Sequence, residues 1–196
     1  MPRVKLRNGE LRDEIAQPLY DTIDIIAAES PQASPRAFFT DVQAKLKAET
    51  NLRQNAQLEG YVSFRILGMC LDAQNLSATL RAGLPLIMEH SSLILKVGEK
   101  DYYEGQGTHW AGRVKHREAV TSATADQCFQ HYGDEATNAV ILGSRHYVDI
   151  PPLQSFRVNW VVEGMSAAEI AAATPGAGEK LRFICSLKGL QRRPVQ

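Results

Sequence analysis

Phe156-Arg157-Val158-Asn159-Trp160-Val161-Val162 sets large apolar residues at 156, 158, 160 and 162, with Arg157, Asn159 and Val161 between them. A period of two puts all four on one side of an extended chain, the pattern of a strand with one face on a core. Leu181, Phe183, Cys185 and Leu187 repeat it near the end of the sequence. Upstream, Val62, Phe64, Ile66 and Cys70 alternate with Ser63, Arg65 and Met69. Leu93 to Val97, then Gly98-Glu99, then Lys100 to Tyr103 reads as a hairpin, with glycine first in the two-residue loop as a type II′ turn requires. Arg113 to Thr121 and Asn138 to Ile150 are further strand regions, the second bent at Gly143 and closed by Pro151-Pro152, which cannot donate ladder hydrogen bonds.

Helical signals are short. Leu76 and Leu80 place a helix over Asn75 to Arg81, ending near Gly83 and Pro85. Thr124 to Gln127 has capping-box spacing, and Ser166-Ala167-Ala168-Glu169 is a better one, leading into an alanine-rich stretch stopped by Pro175-Gly176. Strands without a βαβ rhythm predict a mainly β protein: an antiparallel β-sandwich, jelly-roll-like, over residues 58–196, with short loop helices.

Residues 1–57 read differently, as an extended N-terminal arm with short elements. Pro2, Pro18, Pro31 and Pro35 punctuate it, and Pro18 interrupts any helix through Ile15, Leu19 and Ile26. Thr22 to Ile26 fits a short strand; Ser34-Pro35 is a plausible helix start before Phe38, Val42 and Leu46. The clusters Ile23, Ile25, Ile26 and Phe38, Phe39 are too small for a second core and too apolar for water. They are expected to lie on a neighbouring surface, of this chain or another copy. Together with Trp110 they are the candidate assembly contacts. Trp110, in a glycine-rich loop with Gly107 and Gly112, either plugs one end of the sandwich or stands out as a contact; large aromatics mostly bury, which favours the plug.

The 196 residues carry 22 Lys and Arg against 22 Asp and Glu, a net charge of zero. Binding nucleic acid through overall charge is therefore not indicated, although the basic tips (Arg3, Lys5, Arg7 and Lys188, Arg192, Arg193) permit phosphate contact. No apolar run is long enough to span a bilayer, and the polar stretch Met1 to Glu10 does not read as a secretory signal. Cys70, Cys128 and Cys185 form no close pair, so zinc-ribbon and thioredoxin-like chemistry is not expected; Cys70 and Cys185 read as small core residues of a protein kept in a reducing compartment.

His109 and His116, with Glu104 and Glu118 nearby, are the nearest approach to a metal set, but a seven-residue separation puts the two histidines on opposite faces of any single strand. Gly105-Gln106-Gly107 lacks the spacing and the following Gly-Lys-Ser/Thr of a phosphate loop. No GxSxG elbow or other nucleophile context occurs. The expectation is no enzyme, no cofactor and no metal.

Several strings taken together carry a resemblance. They are Phe38-Phe39, Lys45, Thr50-Asn51-Leu52, Gln57-Leu58, Lys100 with Tyr102-Tyr103, Ile150-Pro151-Pro152-Leu153-Gln154-Ser155-Phe156-Arg157-Val158, and Leu187-Lys188-Gly189 through Arg193-Pro194-Val195-Gln196. Their order resembles phage virion structural proteins, most like the jelly-roll capsid proteins of tailless bacteriophages. The resemblance implies a β-sandwich that tiles a shell, a homo-oligomer in contact with other virion proteins, made in the host cytoplasm and located in the virion. The neutral charge departs from the basic inner face such a shell often has. Two alternatives stand beside it: a cupin-like metal-dependent β-barrel enzyme using His109, His116 and Glu104, and a carbohydrate- or receptor-binding module using the loop aromatics Tyr102, Tyr103 and Trp110.

Overall fold

The computed structural model describes residues 3–5, 11–32, 35–75, 83–110, 117–120, 128–132, 140–142 and 146–195. The chain begins with strands β1 (Arg3–Lys5), β2 (Leu11–Ala16), β3 (Leu19–Ile26), β4 (Arg36–Phe38) and the long β5 (Ser63–Asn75). Helix α1 (Gly83–Glu89), the hairpin β6 (Ser91–Val97) and β7 (Lys100–Gln106), and the single turn α2 (Gly107–Trp110) follow. Then come β8 (Arg117–Val120), β9 (Cys128–Tyr132), β10 (Val140–Ile141), β11 (Val148–Ile150), β12 (Phe156–Val162), α3 (Ala167–Ala173) and β13 (Lys180–Pro194).

Two antiparallel sheets result. The larger is built on β5 and β13, which pair along most of their length. On its other edge β13 takes β3 against residues 180–187 and β2 against 190–194. Thus β2 and β3 act as one long strand interrupted at Gln17-Pro18, where proline has no N–H to give. The far edge of β5 is lined in turn by β11, β10 and β9, with β8 beyond β9. The smaller sheet runs β4-β12-β6-β7.

The period-two residues meet between the sheets. Leu181, Phe183, Cys185 and Leu187 of β13 lie on the same face as Met69, Leu71 and Ala73 of β5, and all are buried. They face Phe156, Val158, Trp160 and Val162 of β12 with Leu93 and Leu95 of β6. Trp160 and Phe183 touch across the gap with ring centroids 4.5 Å apart, and Phe38 and Phe39 pack on Trp160 and Phe156 from the same side. Each such buried side chain contributes about 2–3 kcal/mol, so this aromatic seam is a main source of stability.

The register of the central pair shifts between Lys188 and Gly189, leaving Leu67 of β5 without an opposite number. Gly189 sits so close to β5 that a Cβ there would lie 1.9 Å from the Arg65 carbonyl oxygen, which is why this position has no side chain.

The hairpin is as expected: Gly98 has φ +60°, the left-handed first position of the two-residue loop. The capping box at Ser166 is present in both directions, and α3 stops at Thr174 ahead of Pro175. The helix expected over 75–81 falls largely outside the described residues, as does the Thr124 capping box. Where that helix was expected to end, a helix begins instead: α1 holds Pro85 in its first turn, where no intrahelical N–H is lost. Within Asn138 to Ile150 the described residues hold two short strands, β10 and β11, both paired with β5, and the bend expected at Gly143 lies outside the described residues.

The described segments of residues 11–57 are built into the sandwich rather than lying beside it. β3 pairs with β13 over eight residues, β4 pairs with β12, and Ile25, Phe38 and Phe39 are wholly buried. The physical reason is that β13 presents a full second edge and the seam between the sheets has space for two phenylalanines; the short apolar clusters fill both. The helix expected to start at Ser34-Pro35 is instead strand β4 followed by turns.

Candidate functional site

Among the six candidate assembly contacts, four are core. Ile25, Phe38, Phe39 and Trp110 have no exposed surface, and Ile23 is partly buried against them. Only Ile26, 56% exposed at the end of β3, remains available to a partner. Trp110 is the plug rather than the contact: α2 carries it against β5 and β6, and Tyr103 meets it edge-on at 5.7 Å. This also removes the aromatic platform expected of Tyr102, Tyr103 and Trp110. Tyr102 alone is exposed, at a bulge where β7 has one residue more than β6. A bulge with Lys100 and Asp101 beside it on an end strand disfavours edge-to-edge pairing there.

The metal set does not come together within what is described. His109 lies on the α2 turn and Glu104 on β7, His116 lies outside the described residues, and no group of three potential ligands occurs among those described. Cys70 and Cys185 are both buried, and burial, helped by the charge of Asp21 and the neighbouring Cys70, pushes the Cys185 thiol well up, so it is unreactive when folded.

The polar chemistry concentrates on β3 and the chain that covers its outer edge. Asp21 is fully buried and faces the core side with Cys185. Its carboxylate accepts from Lys45 Nζ at 2.9 Å and from the Phe39 backbone N–H at 2.6 Å. Lys45 Nζ also donates to the Thr22 carbonyl at 2.6 Å, and Asn51 exchanges hydrogen bonds with Tyr20. These bonds close the edge of β3 as a further strand would. Beside them Arg182 spans Asp24 and Glu49, with Lys180 also on Asp24. Burial pushes the Asp24 carboxyl up, but the hydrogen bonds and charge of Arg182 and Lys180 outweigh it and hold the pKa below its ordinary value. Every charge in this group is matched, so its role is to fix the chain over 39–51.

Two surface features remain. The first is an open groove of about 310 Å³ where the larger sheet extends past the smaller one. At about 3.3 Å per residue, the 15-residue β13 runs roughly 50 Å while the 7-residue β12 covers about half of that. The uncovered inner face carries Gln17, Leu19, Gln191 and Arg193, and the segment from Asn51 to Val62 forms the opposite wall. Gln17, Gln54, Gln57 and Gln191 make no side-chain hydrogen bonds to other described residues. Arg53 is paired with Glu59 at 3.2 Å, and Tyr61, whose ring is exposed, has its hydroxyl pKa raised by a hydrogen bond to Glu59. The glutamines come from three separate stretches, so no spacing could announce them.

The second is the turn Pro151-Pro152-Leu153-Gln154. Gln154 N–H donates to the Pro151 carbonyl at 3.3 Å, and Leu153 has φ +60°. Proline second and a left-handed third residue are the requirements of a type II turn, whose third position ordinarily takes glycine. A leucine there costs about 1 kcal/mol of backbone strain, and this one is 60% exposed, with its side chain beside Gly60. The Pro-Pro pair marks the turn in the sequence; nothing marks the left-handed leucine.

No helix among the described residues is long and apolar enough to cross a membrane. Comparison with protein-family models, with curated proteins and with solved structures finds no significant match.

Proposed function

We propose that this protein is a virion structural component, a jelly-roll-like β-sandwich that works by packing copies of itself into a shell. The reading joins the resemblance of its strings to tailless-phage capsid proteins with one structural observation. Leu153 stands outward, apolar and left-handed, at the third position of a type II turn. A strained residue persists where its surroundings or its function demand it, and an apolar side chain on such a turn is explained when a neighbouring copy covers it. Repetition around a closed shell makes many modest contacts of this kind strong. Ile26, Leu46 and Ile141, also exposed, extend the apolar surface offered to neighbours.

Assembly therefore runs through the finished β surface and not through an exchanged arm, since the clusters that an arm would lend are already in the core. Edge pairing through β7 is disfavoured by its bulge. Light scattering and negative-stain microscopy of the purified full chain test the reading: discrete large particles support it, and a monomer at every concentration, salt and pH removes it.

A further inference from the structure

We propose that the overhang groove is a binding site for a neutral saccharide, a function separate from assembly. Its lining decides the ligand class. Gln17, Gln54, Gln57 and Gln191 each offer an amide donor pair and a carbonyl acceptor, and none of these amides is bonded to another described residue. Paired donors and acceptors at a fixed separation match vicinal hydroxyls, which both give and take hydrogen bonds. The exposed ring of Tyr61 on the same wall supplies an apolar face for the C–H side of a sugar ring.

The neighbouring charges argue against an ionic ligand. Arg53 is matched by Glu59, and Arg193 is engaged as well. A peptide backbone fits less well, because the floor is a sheet face whose β13 ladder is already paired on both sides, with β2 and with β5. Extended peptides dock on open strand edges, and the groove offers side chains instead. The volume, about 310 Å³, lies at the low end for small-molecule sites and has room for a mono- or disaccharide.

Saturation-transfer NMR tests this on the full chain, because it detects weak ligands even on large particles. The probes are maltose, cellobiose, lactose and N-acetylglucosamine, with a Gly-Ser-Gly-Ser peptide as comparison. At least one sugar is expected to receive saturation and the peptide none. The double substitution Gln57→Ala with Gln191→Ala is expected to weaken binding about tenfold, the effect of losing two neutral hydrogen bonds. Unchanged thermal unfolding establishes that this variant is folded; should it not fold, the exposed Gln54→Ala takes its place, with a smaller loss expected. No transfer to any sugar, equal transfer to the peptide, or full binding by a folded variant overturns the proposal.

Discussion

The Asp21 carboxylate sits 2.9 Å from Lys45 Nζ with no exposed surface of its own, and its second bond, to the Phe39 backbone N–H, holds that residue at φ +71°. A charge on β3 thereby fixes both the loop that covers its edge and a phenylalanine of the seam between the sheets. Left-handed backbone is costly for phenylalanine, so the fold must hold it from outside.

Removing one partner of this pair strands the other. Asp21→Ala is expected to cost about 3–5 kcal/mol in urea unfolding, because Lys45 is left without its counter-ion and Phe39 N–H without an acceptor. In a cycle of Asp21→Leu, Lys45→Met and the two together, the double variant is expected to lose less than the sum of the two single changes. A double loss equal to the sum of the singles would show that the two side chains act independently.

Acid should act on Asp24. Its folded pKa lies below the ordinary 3.8, so the unfolded chain binds the proton more readily. The contribution of this carboxylate is complete above about pH 4 and is lost as pH falls through the folded value. Urea midpoints measured from neutral pH downward are therefore expected to hold and then drop below that point, with a shallower drop in Asp24→Asn. An identical acid limb in the variant would locate the sensitivity elsewhere.

Gly189→Ala is expected to destabilise by about 3 kcal/mol, since its Cβ meets the Arg65 carbonyl at 1.9 Å and both lie on the central strand pair. Thermal unfolding reads this directly. A variant with the wild-type midpoint would show that the β5–β13 pair can spread at the bulge without cost.

Deleting the first 30 residues is expected to unfold the chain rather than merely disperse it. The deletion strips β2 and β3 from β13 and removes Ile25 from the core. Far-UV circular dichroism of a disordered chain is the expected outcome, and a retained β spectrum would restore the view of this segment as a detachable arm.

These expectations show which parts of the fold are legible in the sequence. Phe156 to Val162 and Leu181 to Leu187 announce themselves because one face of each strand is buried and the other is not. Gly98 announces its hairpin because the turn needs a left-handed first residue. β3 and β4 are harder to read: Leu19 to Ile26 contains Asp21 at a core-facing position, and only its pairing with the distant Lys45 makes that burial tolerable. Such a partner is set by tertiary structure and leaves no local pattern. Phe38 and Phe39 are misleading for the same reason, being both buried although adjacent, because Phe39 turns left-handed and swings to the same core. The groove is invisible in sequence because it exists only where two sheets of unequal length leave one face uncovered.

In the proposed assembly, copies of the chain associate through the outer β surface with Leu153 at the contact. Light scattering of the wild type beside Leu153→Gly, with thermal unfolding of both, tests it most directly. Glycine relieves about 1 kcal/mol of left-handed strain, which roughly offsets its greater unfolded-state entropy, so the fold should hold. Large particles are expected for the wild type and much smaller species for the equally stable variant. Particles of the same size from both proteins, or a monomer from the wild type, would contradict it.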